Sequence, residues 1–365
     1  MAPDALPEDW DVLASWLPDD LGALAKQHGF MRRARGLQDP TRWLRLILMH
    51  VAGGLSLKQT VVRASELDLA HVSSVALFKR LRVAEPWLRS LTGHLLQRHR
   101  QMLGPWAARW PGGIRVIDAT EAVEPGAKGS CWRIHYSLRL PEMICDHYEL
   151  TDSSGGEKLG RFAFKPKELV LADRGYSHRA GVAHLLAAGA DVVVRWNHAL
   201  FPLEDQRGAP FDPLPALRRL KVGEEVEWAV AFSHGGKRHN LRLCARRKAQ
   251  LAAEQARKRS LRKSQKNQTE ADPRSLELTN YVLVLTSASR PALARKAVLG
   301  LYRNRWQVEL VFKRLKSLLG VGHVPKSNDA SAKAWMQAKI LTAMLIERTL
   351  LEARFFSPWG DPRGG

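Results

Sequence analysis

Residues 302 to 316, Tyr-Arg-Asn-Arg-Trp-Gln-Val-Glu-Leu-Val-Phe-Lys-Arg-Leu-Lys, contain neither proline nor glycine and are rich in good helix formers. On a helix turning about 100° per residue, Tyr302, Arg305, Glu309 and Lys316 fall within an arc of roughly 60°. Leu301, Val308, Phe312, Leu315 and Leu319 form an apolar stripe beside that arc. One face can therefore dock on a core while the next presents a carboxylate flanked by two cations and a phenol. Arg305 and Glu309 also have the spacing of an ordinary helical salt bridge, so the pattern by itself fits a surface ladder or the edge of a phosphate-handling site.

The rest of the chain favours a polyanionic partner. Its 57 Lys and Arg against 36 Asp and Glu give a net charge of +21 in 365 residues. Such an excess repels itself and serves nucleic acid or an anionic surface rather than folding. A membrane partner is disfavoured, because no run of about 18 apolar residues exists. The acidic opening also lacks the features of a signal peptide. Cys131, Cys145 and Cys244 show no paired spacing, which excludes a zinc ribbon, argues against a disulfide framework and fits a reducing cytoplasm.

In chain order, residues 1–105 read as helical. Amphipathic stretches are expected over Asp11 to Gln27 and Thr41 to Gly53, then over Ser56 to Glu66 and Ser73 to Arg82, with Ser56 and Ser73 as N-caps. The last two fit a helix-turn-helix, with Lys79 and Arg80 placed for phosphate contacts, or simply two packed helices. Residues 106–198 read as strands at Ile114 to Thr120, Cys131 to Leu140 and Met143 to Thr151. A short helical piece follows at Glu157 to Phe164, then a strand at Glu168 to Ala172, a helix from Arg179 and a strand at Asp191 to Trp196. The first strand carries Asp118, and the fourth ends on Asp173 in Asp-Arg-Gly-Tyr. An Asp after an apolar strand is often only a turn-former.

Taken together, Tyr-x2-Arg-x3-Glu-x6-Lys at Tyr302, Arg305, Glu309 and Lys316, with Asp118 and Asp173 on strands, resembles the signature of DDE transposases of the insertion-sequence-four type. The resemblance spans roughly residues 55 to 350. It implies a mixed α/β fold, with an RNase H-like catalytic core and an all-helical N-terminal domain that helps bind the transposon end. It also implies a β-rich insertion over 199–285, which the alternating runs Glu225 to Val230 and Asn240 to Leu243 support, with the core resuming over 286–365. That insertion carries a basic segment, Arg246 to Lys266, in which Arg246, Arg247 and Lys248 open a run of nine cations against Glu254 alone. Trp196 and Trp228 are either core tryptophans or platforms for an extruded base.

The resemblance further implies a reaction and its metals. Asp118, Asp173 and Glu309 would hold two Mg2+ ions, with Mn2+ able to substitute, and Asp118 would bridge them. Arg305 and Lys316 would grip phosphate, with Tyr302 beside them. The expected activity is cutting and joining of insertion-sequence ends. The partners would be double-stranded terminal inverted repeats and target DNA, handled by a homodimer in a synaptic complex, in a cytoplasmic and nucleoid-associated setting. The alternatives are a metal-dependent RNase H-like nuclease without strand transfer, which needs neither the insertion nor the helical domain, and an inactive DNA-binding derivative, against which the three intact acids argue.

Overall fold

The computed structural model describes residues 7–31, 36–102, 110–127, 129, 131–140, 142–266, 268–303, 313, 320, 322–325 and 328–355. The N-terminal helices are α1 (Pro7–Ala14), α2 (Leu21–Gln27), α3 (Pro40–Val51), α4 (Leu57–Glu66), α5 (Ser74–Leu81) and α6 (Glu85–Met102). The single helix expected over Asp11 to Gln27 is split in two. Pro18 lacks an amide donor and ends the helical run, and the intervening turn buries Trp16 and Leu17 instead. Ser56 caps α4 in a reciprocal capping box with Gln59, and Ser73 caps α5 through the Ala76 amide.

Strands β1 (Ile114–Ala122), β2 (Trp132–Leu140) and β3 (Ile144–Asp152) form the expected antiparallel meander. Next, β4 (Leu169–Ala172) pairs parallel with β1, and β5 (Asp191–Arg195), reached through α7 (Arg179–Ala187), pairs parallel with β4. This is the mixed α/β arrangement expected of an RNase H-like core. The piece from Glu157 to Phe164 contains only a single 3-10 turn, Leu159–Arg161.

Residues 199–285 do not build a sheet of their own. They contribute α8 (Leu214–Leu217), β6 (Glu225–His234), β7 (Lys237–Arg247), α9 (Gln250–Lys266), α10 (Pro273–Leu278) and β8 (Tyr281–Thr286). The hairpin between β6 and β7 turns on Gly235 and Gly236, both at positive φ, as a two-residue turn demands. β8 pairs antiparallel with both β5 and β7, so one eight-stranded sheet runs β3-β2-β1-β4-β5-β8-β7-β6. A further helix, α11 (Arg295–Arg303), packs on this extended edge, and α12 (Asp329–Phe355) packs against α6, α3 and β3. Glu347 of α12 docks on the sheet, accepting from the Tyr136 hydroxyl at 2.5 Å and the Cys145 amide at 2.9 Å. None of the described helices is long and apolar enough to cross a membrane.

A buried ionic network pins the meander to β4. Arg115 and Arg139 lie directly opposite each other in the β1–β2 register. Asp146 and Glu168 separate them: Asp146 lies 2.9 Å from Arg115 and 3.0 Å from Arg139, and Glu168 lies 3.0 Å from Arg139. All four side chains are at most 8% exposed. Asp146 falls at the β-bulge of β3, which lets its carboxylate reach both guanidiniums and the Ser137 hydroxyl at 2.6 Å. Breaking such a network leaves an uncompensated buried charge, a cost of about 3–5 kcal/mol. Glu168→Ala and Asp146→Ala should each lower unfolding free energy by about that amount in denaturant titrations; a loss below about 1 kcal/mol would show that the network is not a structural fastening.

Candidate functional site

The β1–β4 register runs from Ile114 opposite Leu169 to Ile117 opposite Ala172. Asp118 and Asp173 are the next residues on the two neighbouring chains, so two half-buried carboxylates follow side by side at the same end of the sheet. Asp118 accepts its own neighbour's amide, that of Ala119, at 2.8 Å. Asp173 opens the tight turn Arg174–Tyr176, whose Tyr176 amide donates back to the Asp173 carbonyl at 3.0 Å.

A third element reaches this point. Val298 and Leu299 bury α11 against the sheet, and Tyr302 in its last turn donates its hydroxyl to Asp173 Oδ1 at 3.0 Å. Tyr302 was expected on a helix and lies on one, α11, which begins seven residues earlier at Arg295. Arg305, Glu309 and Lys316 lie outside the described residues. Among the described residues, no group of three His, Cys, Asp or Glu is placed to hold a metal. The two strand acids fit the hard oxygen donors that a divalent cation prefers, and a third donor would have to come from beyond them.

Two further groups crowd the acids, and neither stood out in the sequence. Burial pushes the Glu157 carboxyl above its usual range; Arg133 opposes this, while Asp173 and Glu121 add to it. Its carboxylate lies against Gly175, where even a single added methyl would collide with it. Burial also drives Tyr176 far above an ordinary phenol, with Glu157 and Asp118 reinforcing the shift. The Tyr176 hydroxyl is buried without a hydrogen-bond partner among the described residues. The available signal for Glu157 was an acid directly after Gly155-Gly156, immediately downstream of a strand.

The cationic side of the site is equally distinct. A cleft of about 720 Å3 runs between the C-terminal end of β7, the start of α9 and residues 296–303 of α11, and Tyr302 lines it. Its walls carry Arg195, Arg246, Arg247, Lys248, Lys296 and Arg303 against one acid, Glu225. Of the three cations chosen from sequence, Arg246 lies 3.9 Å from Glu225, Arg247 donates to the Leu220 carbonyl, and Lys248 donates to Thr279 at 2.6 Å. Burial, then Arg195 and Arg259, push Lys248 down to about 8. Arg195 escaped the sequence reading although it ends an apolar strand much as Asp173 does. Burial and the neighbouring Arg195 also lower Arg174, while Asp173 pulls it the other way.

Other expectations are revised. Arg80 turns inward: it donates to the Phe30 carbonyl and lies over the rings of Phe30 and Trp43 at 5.8 and 5.6 Å. Lys79 beside it is exposed. Trp196 is a core residue, 5% exposed, with its indole N–H donated to the Phe201 carbonyl, so it offers no open ring face. Trp228 is half-buried and tilted against Phe211.

The family described as "Transposase DDE domain" matches residues 151–345. Across 359 residues the chain is 32% identical to the putative transposase InsL for insertion sequence element IS186A of Escherichia coli (strain K12), covering 96% of each chain. It is also 32% identical, over 360 residues and 96% of each chain, to the transposase for insertion sequence element IS421 of Escherichia coli. Among solved structures, the fold resembles that of piggyBac transposase in its synaptic complex with hairpin DNA. The TM-score is 0.54 at 9% sequence identity, over 95% of this chain and 75% of that one.

The packing of Glu157 on Gly175 can be tested by a double-mutant cycle. Gly175→Ala should cost about 1–3 kcal/mol of stability, and combining it with Glu157→Ala should recover about 1 kcal/mol or more. Strictly additive costs would mean that the two do not touch.

Proposed function

The chain belongs to the DDE transposases, and from that membership we propose that it cuts and joins insertion-sequence ends through the acids Asp118, Asp173 and Glu309. The observation that carries this reading is the hydrogen bond from Tyr302 to Asp173. It joins the first residue of the Tyr-Arg-Glu-Lys signature to a strand acid that lies 129 positions earlier in the chain. The signature, with Arg305, Glu309 and Lys316, assigns the chain to the insertion-sequence-four type within that family.

DDE chemistry depends on divalent metal, and in this reading the ions are two Mg2+, replaceable by Mn2+. When bound, they neutralise charge on the scissile phosphate and supply the activated nucleophile. The chain's own residues do the rest. Asp118, Asp173 and Glu309 would hold the ions, with Asp118 serving both and Asp173 and Glu309 one each. Tyr302 fixes the rotamer of Asp173 by occupying one of its oxygens. Arg305 offers a planar fork to a phosphate, and Lys316 a point charge to another. The adjacent acids repel one another, so binding of a cation relieves an unfavourable arrangement. The 3′-hydroxyl released by cleavage is then held in the same site to attack target DNA. Two ends must be brought together, so the working form in this reading is a homodimer on the terminal repeats.

Asp118→Asn, Asp173→Asn and Glu309→Gln should each abolish Mg2+-dependent strand cleavage of a transposon-end duplex while leaving binding to that duplex intact. Wild-type cleavage by any one variant removes that residue from the assignment. Loss of binding together with cleavage would point instead to a folding defect, which thermal unfolding of the same samples would reveal.

A further inference from the structure

Helix α9 is unlike the other long helices of this fold. It runs 17 residues and has no buried residue. Its half-buried positions, Ala253, Ala256, Ser260 and Ser264, lie along one side. At about 100° per residue, Lys258, Arg259, Arg262, Lys263 and Lys266 occupy an arc of roughly 140° that begins beside Ala256 and runs round to the far side. All five are exposed, and none has an ion-pair partner among the described residues. Lys258 and Arg262, Arg259 and Lys263, and Arg262 and Lys266 stand four apart, a spacing at which like charges destabilise an isolated helix. A helix that buries nothing and repels itself owes its stability to something beyond its own contacts.

The position of α9 indicates what that is. Its first turn walls the cationic cleft, Ala249 and Ala252 lining one side while Lys296 and Arg303 of α11 line the other. That cleft also contains Tyr302, which holds Asp173. A strand with its phosphate at the acids and its backbone in the cleft would continue directly along the cationic side of α9. We propose that α9 is an arm that lies along the phosphate backbone of the transposon-end duplex, carrying it away from the active site through Lys258, Arg259, Arg262, Lys263 and Lys266. The choice of end DNA over target DNA rests on the proposed function, in which the transposon end is cleaved first and occupies this site before target DNA arrives.

The test uses the full chain with Lys258, Arg262, Lys263 and Lys266 replaced together by Gln, which keeps the helix formers and removes only charge. Binding to a duplex of the element's terminal sequence, and to a scrambled duplex, is measured across a salt series. For the terminal duplex, the slope of log affinity against log salt should shrink by about 2–4, near 0.9 for each phosphate that the arm no longer neutralises. Affinity at fixed salt should fall at least tenfold. In the wild type, amide exchange over 250–266 should slow when the terminal duplex binds. An unchanged slope overturns the proposal, as does a loss confined to the scrambled duplex, which would assign the arm to target DNA. Wild-type cleavage of the terminal duplex, run in parallel, separates the two ideas. If the wild type cleaves and the slope is unchanged, only the arm is wrong; if the slope shrinks and the wild type never cleaves, the catalytic reading fails while the arm stands.

Discussion

Two arginines facing each other across a strand pair would normally push the strands apart. In this sheet Arg115 and Arg139 do so in register, and the structure depends on the two acids set between them. Glu168 stands just ahead of β4, and Asp146 is delivered by the bulge in β3, so the network joins four strands at one end. Where β4 ends, beyond the paired stretch of β1 and β4, the chain presents Asp118, midway along β1, and Asp173. Because side chains alternate along a strand, slipping β1 by one residue against β4 would turn Asp118 to the opposite face and remove it from Asp173. A charge network of this kind costs desolvation and is a poor source of raw stability. Its value here is register, and register is what brings together acids 55 residues apart in the chain.

The same fold sorts its charge by purpose. Three buried or nearly buried cations are matched by acids: Arg115 and Arg139 by Asp146 and Glu168, and Arg242 by Glu227 at 3.0 Å. Part of the surplus that makes the chain +21 lies in the cleft beside Tyr302 and along α9. Cations held close together raise each other's energy: burial first, and then the neighbouring Arg195 and Arg259, lower Lys248. That energy is recovered when a polyanion displaces its counterions onto bulk solvent. An acid pair and a cation cluster meeting at one helix end is the polarity that phosphodiester chemistry requires, with one side for metal and the other for phosphate.

How far the sequence could be read follows from the range of the forces involved. Local signals were legible because their physics is local: Ser56 and Ser73 as caps, and the strand-end acids. Long-range choices were not. Nothing within a few residues of Arg80 says that it will cover Phe30 and Trp43, since both rings lie more than 35 positions earlier in the chain. Trp196 reads equally well as a platform or a core residue until the loop carrying Phe201 folds over it. Glu157 matters because of its approach to Gly175, a contact set by how the loop after β3 packs on the turn after β4. The strands of 199–285 read correctly as strands, but their alternation could not say which sheet they would join. β8 decides that by pairing with β5 on one side and β7 on the other.

That pairing bears on the site itself. Helix α11 rests on β5, β7 and β8, so its last turn, with Tyr302, is aimed at Asp173 only because the added strands continue the central sheet. A separate domain on a flexible tether would leave the tyrosine's position free to vary by several ångströms, and a hydrogen bond of 3.0 Å would not be held. The extension also supplies Lys248, α9 and the edge of β7, so one rigid platform carries the cleft and positions the phenol at the acids. Substrate grip and acid geometry are therefore mechanically coupled. In the proposed reading, the wall that would grip a strand and the helix that holds Asp173 rest on the same extended sheet.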